Sequence, residues 1–244
     1  MKKLLGFSIF LVFVLIASLT AEAKVTLPAI FSDNMVLQQN TQVNVWGKAA
    51  PGEKVTVKAS WLDKAVTAKA AANGKWTVKL KTPKAITNQS VTVSGENEIT
   101  INNVLIGEVW LCTGQSNMEF PVSRHPDVKW NTGMLNEVEE LKDADYPEIR
   151  LFHVKHQLAH EGELDDCEGE WLVCNPKNLY DFSAVGFVFG RKLYKELKMP
   201  VGLIQSTWGG THAESWTKLD VMKKNPLYAD VLKDFALEGV KQQK

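Results

Sequence analysis

The residues best placed to do chemistry lie in one short segment, Gly114-Gln115-Ser116-Asn117-Met118. The apolar run from Val104 to Cys112 leads into it and reads as a buried strand. A serine at a strand-to-helix turn presents its hydroxyl to a cleft, and the backbone N–H groups around it point at an incoming carbonyl oxygen. Gly114 lets the chain turn sharply, and the polar Gln115 and Asn117 flank the hydroxyl. A second glycine-containing segment, Ser206-Thr207-Trp208-Gly209-Gly210-Thr211, follows the apolar run Val201 to Gln205. Both segments fall at strand carboxyl ends, where ligands bind in parallel α/β sheets. The motif is not the nucleophile elbow of α/β-hydrolases, which needs glycine two residues after the serine where this chain has Met118. A serine in such a turn also serves as a helix cap, and the residues alone leave both roles open.

The other reactive side chains give weaker signals. His125 sits beside Pro126 and reads as a loop residue; His153 and His156 belong to a strand beginning near Ile149 and to its exit, with His160 in the polar loop beyond. Solvated or packed histidines are expected there, with a metal pair as the alternative. His212 follows Gly209-Gly210 and is a candidate neighbour of Ser116. The three cysteines fit no zinc spacing. Cys112, in an apolar run, reads as a buried thiol, and Cys167 and Cys174 bracket a segment short enough for a small disulfide loop.

Two grammars position these residues. From Lys24 to about Leu105 the pattern has period two: Val55, Val57, Ala59 and Trp61 share one parity, as do Trp76, Val78 and Leu80. Pro51-Gly52 and Asn73-Gly74 are turn dipeptides between such runs. Short strands in close succession with no helical stretch predict a small antiparallel β-sandwich over 24–105. From Ile106 onward strands alternate with helical sequence. Ser183 is a candidate N-cap for a helix carrying Val185, Phe189, Leu193 and Leu197, and Gly186 and Gly190 would let that helix approach a sheet closely. Residues 106–244 therefore read as an α/β unit with about three parallel strands. Leu227, Val231, Leu232 and Phe235 form a further apolar stripe.

Residues 1–23 stand apart. Lys2-Lys3, the apolar run Leu4 to Ala17, and Ala21-Glu22-Ala23 together read as a secretory signal peptide cut before Lys24. A periplasmic or secreted location is expected, with no membrane association after cleavage. The whole chain carries 28 Lys+Arg against 28 Asp+Glu, which gives no electrostatic reason to expect nucleic acid as a partner. Its 45% hydrophobic content excludes disorder as the default. Eight tryptophans suit either a core or a sugar-binding surface.

The segments Gly114-Gln115-Ser116-Asn117-Met118-Glu119, Trp208-Gly209-Gly210-Thr211 and Glu214-Ser215-Trp216, taken together, closely resemble the bacterial sialate O-acetylesterases, of the SGNH-type hydrolases. Leu27-Pro28, Phe31 to Gln38, Trp46-Gly47, Pro51-Gly52-Glu53 and Phe182 to Gly186 extend the similarity over all of 24–244. The resemblance implies a flavodoxin-like three-layer α/β domain and a serine esterase that removes O-acetyl groups from sialic acid through an acetyl-serine intermediate. Ser116 would be the nucleophile, its own N–H and that of Gly210 or Gly209 the oxyanion hole, and Gln115, Asn117 and Trp208 the pocket lining. No metal or organic cofactor is implied. Another acetylated glycan such as xylan is the alternative substrate, and a non-catalytic glycan-binding fragment the alternative function. The family draws its catalytic histidine from a later Asp-x-x-His segment, and none follows Ser116 here. The chain accordingly reads as the amino-terminal, nucleophile-bearing part of a longer enzyme.

Overall fold

A computed structural model describes residues 24–126, 133–158 and 163–234. The expected signal peptide, His160 and Phe235 lie outside the described residues. Strands β1 (Val36–Gln38), β2 (Gln42–Lys48), β3 (Lys54–Ala59), β4 (Val66–Lys69), β5 (Lys75–Lys81) and β6 (Ile86–Ser94) precede a 17-residue strand, β7 (Glu98–Gly114). There follow α1 (Ser116–Glu119), α2 (Glu137–Lys142), β8 (Tyr146–His153), β9 (Trp171–Cys174), α3 (Pro176–Leu179), α4 (Ala184–Leu197), β10 (Val201–Thr207) and α5 (Leu219–Lys223).

The period-two alternation folds as antiparallel layers. β2 pairs with β5, and β4-β3-β6-β7 form the facing sheet, with β1 running parallel beside β7. Val45, Trp76, Val78 and Leu80 from one layer meet Val55, Val57, Val91, Val93 and Ile101 from the other in one buried cluster. Alternate side chains of each strand therefore fill the space between sheets. Gly52 and Gly74 adopt left-handed backbone, φ 82° and 76°, as their turn positions require. The Asn73-Gly74 turn joins strands of different layers. Trp61 leaves the expected parity: β3 ends at Ala59, and the Trp61 indole reaches the Lys81 carbonyl instead (2.9 Å).

β7 carries the chain from one architecture to the other without a break. Its first part pairs antiparallel with β6 up to Ile106, and its last part pairs parallel with β10 from Glu108 to Gly114. The expected division near residue 105 thus falls inside a continuous strand. β10 also pairs parallel with β8, and β9 closes that edge antiparallel. The outcome is a mixed α/β unit joined to an antiparallel region. In flavodoxin-like sheets the first strand lies between the second and third. Here the third parallel strand, β10, lies between the first and second.

Ser183 caps α4 as its position suggests, its hydroxyl accepting from the Gly186 N–H at 3.0 Å. The face that α4 buries differs from the spacing-four stripe. Gly186, Phe187 and Gly190 turn inward, while Val185, Phe189 and Leu197 are exposed. The reason is close approach: a Cβ on Gly190 would stand 2.5 Å from the Leu203 side chain of β10. Glycine lets helix and strand touch there, and Phe187 fills the space beside it.

Contacts tie the two regions together. The Arg150 guanidinium of β8, buried, donates to Asn34 Oδ1 at 3.1 Å, and the Trp171 indole donates to the Ile30 carbonyl at 2.9 Å. Asp165 bridges Lys48 and Lys75, which face each other across β2 and β5, at 3.3 and 2.5 Å. None of the helices among the described residues is long and apolar enough to cross a membrane.

Candidate active site

The parallel register brings the two glycine-containing turns together. Thr207 lies opposite Gly114, the last residues of β10 and β7, and the Trp208 N–H extends the pairing to the Gly114 carbonyl at 3.0 Å. Beyond this point both chains turn away from the sheet. Gly114 takes φ 146°, outside the range of ordinary L-residues, and Ser116 opens the single turn of α1. On the other side Gly209 packs against that turn. A Cβ there would lie 3.4 Å from Ser116 Oγ and 2.5 Å from Glu119 Oε2, so a larger residue would displace the carboxylate. Gly210, φ 76°, completes the reversal.

Ser116, Glu119, His156, Trp208, Gly209 and Gly210 line one cleft of about 560 Å³. Of the expected site residues, Ser116, Trp208, Gly209 and Gly210 thus meet. Gln115 and Asn117 are exposed and do not line it. Gln115 instead caps α1: its Oε1 accepts from the Ser116 N–H at 3.0 Å and from Ser116 Oγ at 2.9 Å. The Gly209 N–H is also occupied, donating to Glu119 Oε2. Among the described residues the Gly210 N–H makes no hydrogen bond.

Sequence reasoning missed Glu119 and the placement of His156. Glu119 stands three residues after Ser116 on the same helical turn, so its side chain shares the serine's face. Its carboxylate joins the cleft walls: Oε2 holds the Gly209 amide, and Oε1 lies 2.9 Å from His156 Nε2. The same nitrogen is 2.8 Å from the Thr207 carbonyl. The His156 ring stacks on Trp208, with centroids 4.2 Å apart and planes 4° from parallel. The signal for Glu119 was its i,i+3 spacing. His156 had none in the sequence, because only the adjacency of β8 and β10 brings the exit of β8 beside Trp208.

The remaining histidines and cysteines lie elsewhere. His125 pairs with Asp181 at 2.7 Å and packs edge-on against Tyr180, outside the cleft lining. His153 titrates below its ordinary value, chiefly because it is buried and then because His156 is near; Glu119 and Asp181 oppose the shift. His212 is exposed and does not line the cleft. All three cysteines are free thiols, so the small disulfide loop is not formed. Burial pushes the Cys174 thiol up to about 12 and raises that of Cys112, whose sulfur lies under the start of α4.

Comparison with known proteins bears on this cleft. Residues 106–242 match the family described as carbohydrate esterase, sialic acid-specific acetylesterase. Mouse sialate O-acetylesterase is 33% identical over 215 residues, 80% of this chain and 38% of its own length. The human protein of that name is 31% identical over 205 residues, 76% of this chain and 37% of its own length. A carbohydrate acetylesterase from Xanthomonas citri, solved as a crystal structure, superposes with TM-score 0.73 at 31% identity, covering 82% of this chain and 44% of that one. The chain therefore spans less than half the length of each of these relatives.

Proposed function

Because the chain belongs to the carbohydrate esterase family of sialic acid-specific acetylesterases, we propose that it carries the nucleophile half of a serine esterase that removes O-acetyl groups from sialic acid. The observation that carries this reading is the convergence of the two turns, with Gly209 against Ser116 at the carboxyl ends of paired parallel strands.

In this reaction Ser116 Oγ attacks the acetyl carbonyl carbon and its proton passes to a general base. The tetrahedral oxyanion is held by backbone N–H groups, the C–O bond to the sugar breaks, and the sugar oxygen leaves protonated. Water then attacks acetyl-Ser116 and releases acetate. The Ser116 and Gly210 amides suit the oxyanion hole. The Gly209 amide is held by Glu119, which makes that carboxylate a clamp between the two turns. The Gln115 side chain must swing off the Ser116 N–H before that donor can serve an oxyanion. The base is not supplied by His156 in its present arrangement, since Nε2 faces Glu119 and the Thr207 carbonyl. By the family resemblance the base would come from an Asp-x-x-His segment, a pattern that these 244 residues do not contain.

The finer structural readings belong to the same proposal: an SGNH-type esterase domain over 106–244, a β-sandwich domain over 24–105, and export to the periplasm or beyond directed by residues 1–23. The test is hydrolysis of p-nitrophenyl acetate by a chain continued to the length of its relatives. Ser116→Ala is expected to lower the rate at least about a thousandfold. Equal rates for variant and parent would end the reading. A panel of O-acetylated sialic acids and acetylated xylan then assigns the substrate by kcat/KM.

A further inference from the structure

A second cleft of about 430 Å³ adjoins the nucleophile cleft and shares two residues with it, His156 and Trp208. We propose that this second cleft is the subsite for the sugar ring of the substrate, with the His156–Trp208 stack as the wall common to both. The inference rests on the esterase reading of Ser116 and extends it from the acetyl group to the alcohol that carries it.

The linings divide the work. Around Ser116 the walls are glycines and a carboxylate, which leave room for a small acyl group. The neighbouring cleft is lined by Leu158, Trp208, Thr211 and Trp216, with His156 and Ser215 among its polar residues. Leu158 is 65% exposed and Trp216 is 41% exposed, large apolar surfaces held open to solvent. Trp216 is nonetheless fixed in place: its indole N–H donates to Thr211 Oγ1 at 2.8 Å, and Thr211 Oγ1 donates to the Trp208 carbonyl at 2.7 Å. Two tryptophans are therefore tied through one hydroxyl to the turn that carries Gly209. A pyranose offers C–H faces to aromatic rings and hydroxyls to polar groups at their edges, the mixture that this lining provides. His156 adds a polar edge, because Nε2 is engaged while Nδ1 has no partner among the described residues. An ester with its carbonyl at Ser116 has its alcohol portion directed across the stacked rings into this space.

Binding tests this without turnover. In the Ser116→Ala background, 9-O-acetyl-N-acetylneuraminic acid is titrated against the chain by calorimetry or ligand-observed NMR. Adding Trp216→Ala is expected to raise Kd about tenfold, near 1.4 kcal/mol, and Trp216→Phe, which keeps a ring face, to recover most of that loss. Leu158→Arg guards against a folding artefact, since its side chain is exposed, and is expected to weaken binding about fivefold. The same Kd in all four proteins, or no binding by any, overturns the subsite. Failure of the esterase reading registers separately, as Ser116→Ala retaining hydrolysis of p-nitrophenyl acetate.

Discussion

The two regions joined by β7 differ most in what they leave uncovered. In the antiparallel region, among the described residues, Trp46 is the one large hydrophobic side chain that is exposed, and even it packs edge-on against Phe31 at 4.6 Å. The α/β unit exposes Trp110, Leu111, Val185, Val188, Phe189, Leu197 and Trp216, among others. Both regions have a buried apolar core, so the difference lies in the outer faces. In the antiparallel region each strand's alternation decides which side chains are inside, and two layers suffice to cover both inner faces. In the α/β unit, burial depends on which helix reaches which strand: Val185, Val188 and Leu197 of α4 stay exposed, and Phe189 stays exposed although it packs edge-on against Trp110 at 5.0 Å. The turns that carry Ser116 and Gly209-Gly210 belong to this second region.

Neighbouring residues on α4 can break that comparison at its sharpest point. Phe187 is buried under the helix beside Leu203, and Val188 is 41% exposed on the other side. Phe187→Ala is expected to cost about 3–5 kcal/mol in denaturant unfolding, whereas Val188→Lys should stay within about 0.5 kcal/mol. Similar losses from both would mean that the outer face of α4 is packed after all.

A smaller effect is expected at the clamp between the turns. Glu119 has two acceptor oxygens in use, one on the Gly209 amide and one facing His156. Glu119→Gln keeps a single acceptor, so one contact is lost. In an active chain kcat/KM is expected to fall about tenfold, close to 1.4 kcal/mol, with the unfolding midpoint little changed. An unaltered kcat/KM would reduce Glu119 to a surface carboxylate.

The smallest effect is a pH dependence in the α/β unit. Burial lowers the His153 pKa from its ordinary 6.5, so the folded chain binds fewer protons there than the unfolded chain. This contribution leaves stability untouched above that ordinary value and lowers it as pH falls below 6.5, levelling off once the folded-state pKa is passed. His156 and Glu119, which act on His153 with opposite sign, stay in place in His153→Gln. Thermal midpoints of that variant should decline less between pH 7 and 5 than those of the parent. Parallel declines would mean that His153 does not carry this pH dependence.

Legibility in the sequence followed the range of the interactions. The inward positions Val55, Val57, Trp76, Val78 and Leu80 were readable because strand parity is a local property. The Ser183 cap was readable because its hydrogen bond spans three residues. The buried face of α4 was not, since an apolar stripe at spacing four looks equally good whether it meets a sheet or solvent. The glycines were the better guide there. In the candidate site, Ser116 and the Gly209-Gly210 turn were legible as types and through the family resemblance. Their meeting was not, because it depends on β10 lying beside β7 in one particular register. The same holds for His156 and Trp216, whose parts follow from strand order and from a tether through Thr211.

The most direct measurement is the site of covalent capture. A phosphonate that mimics the acetyl ester transition state is incubated with the chain continued to the length of its relatives, and the modified peptide is read by mass spectrometry. One adduct is expected, on the peptide containing Ser116 and lost in Ser116→Ala. An adduct on any other residue, or none in a protein that still hydrolyses acetyl esters, would contradict it.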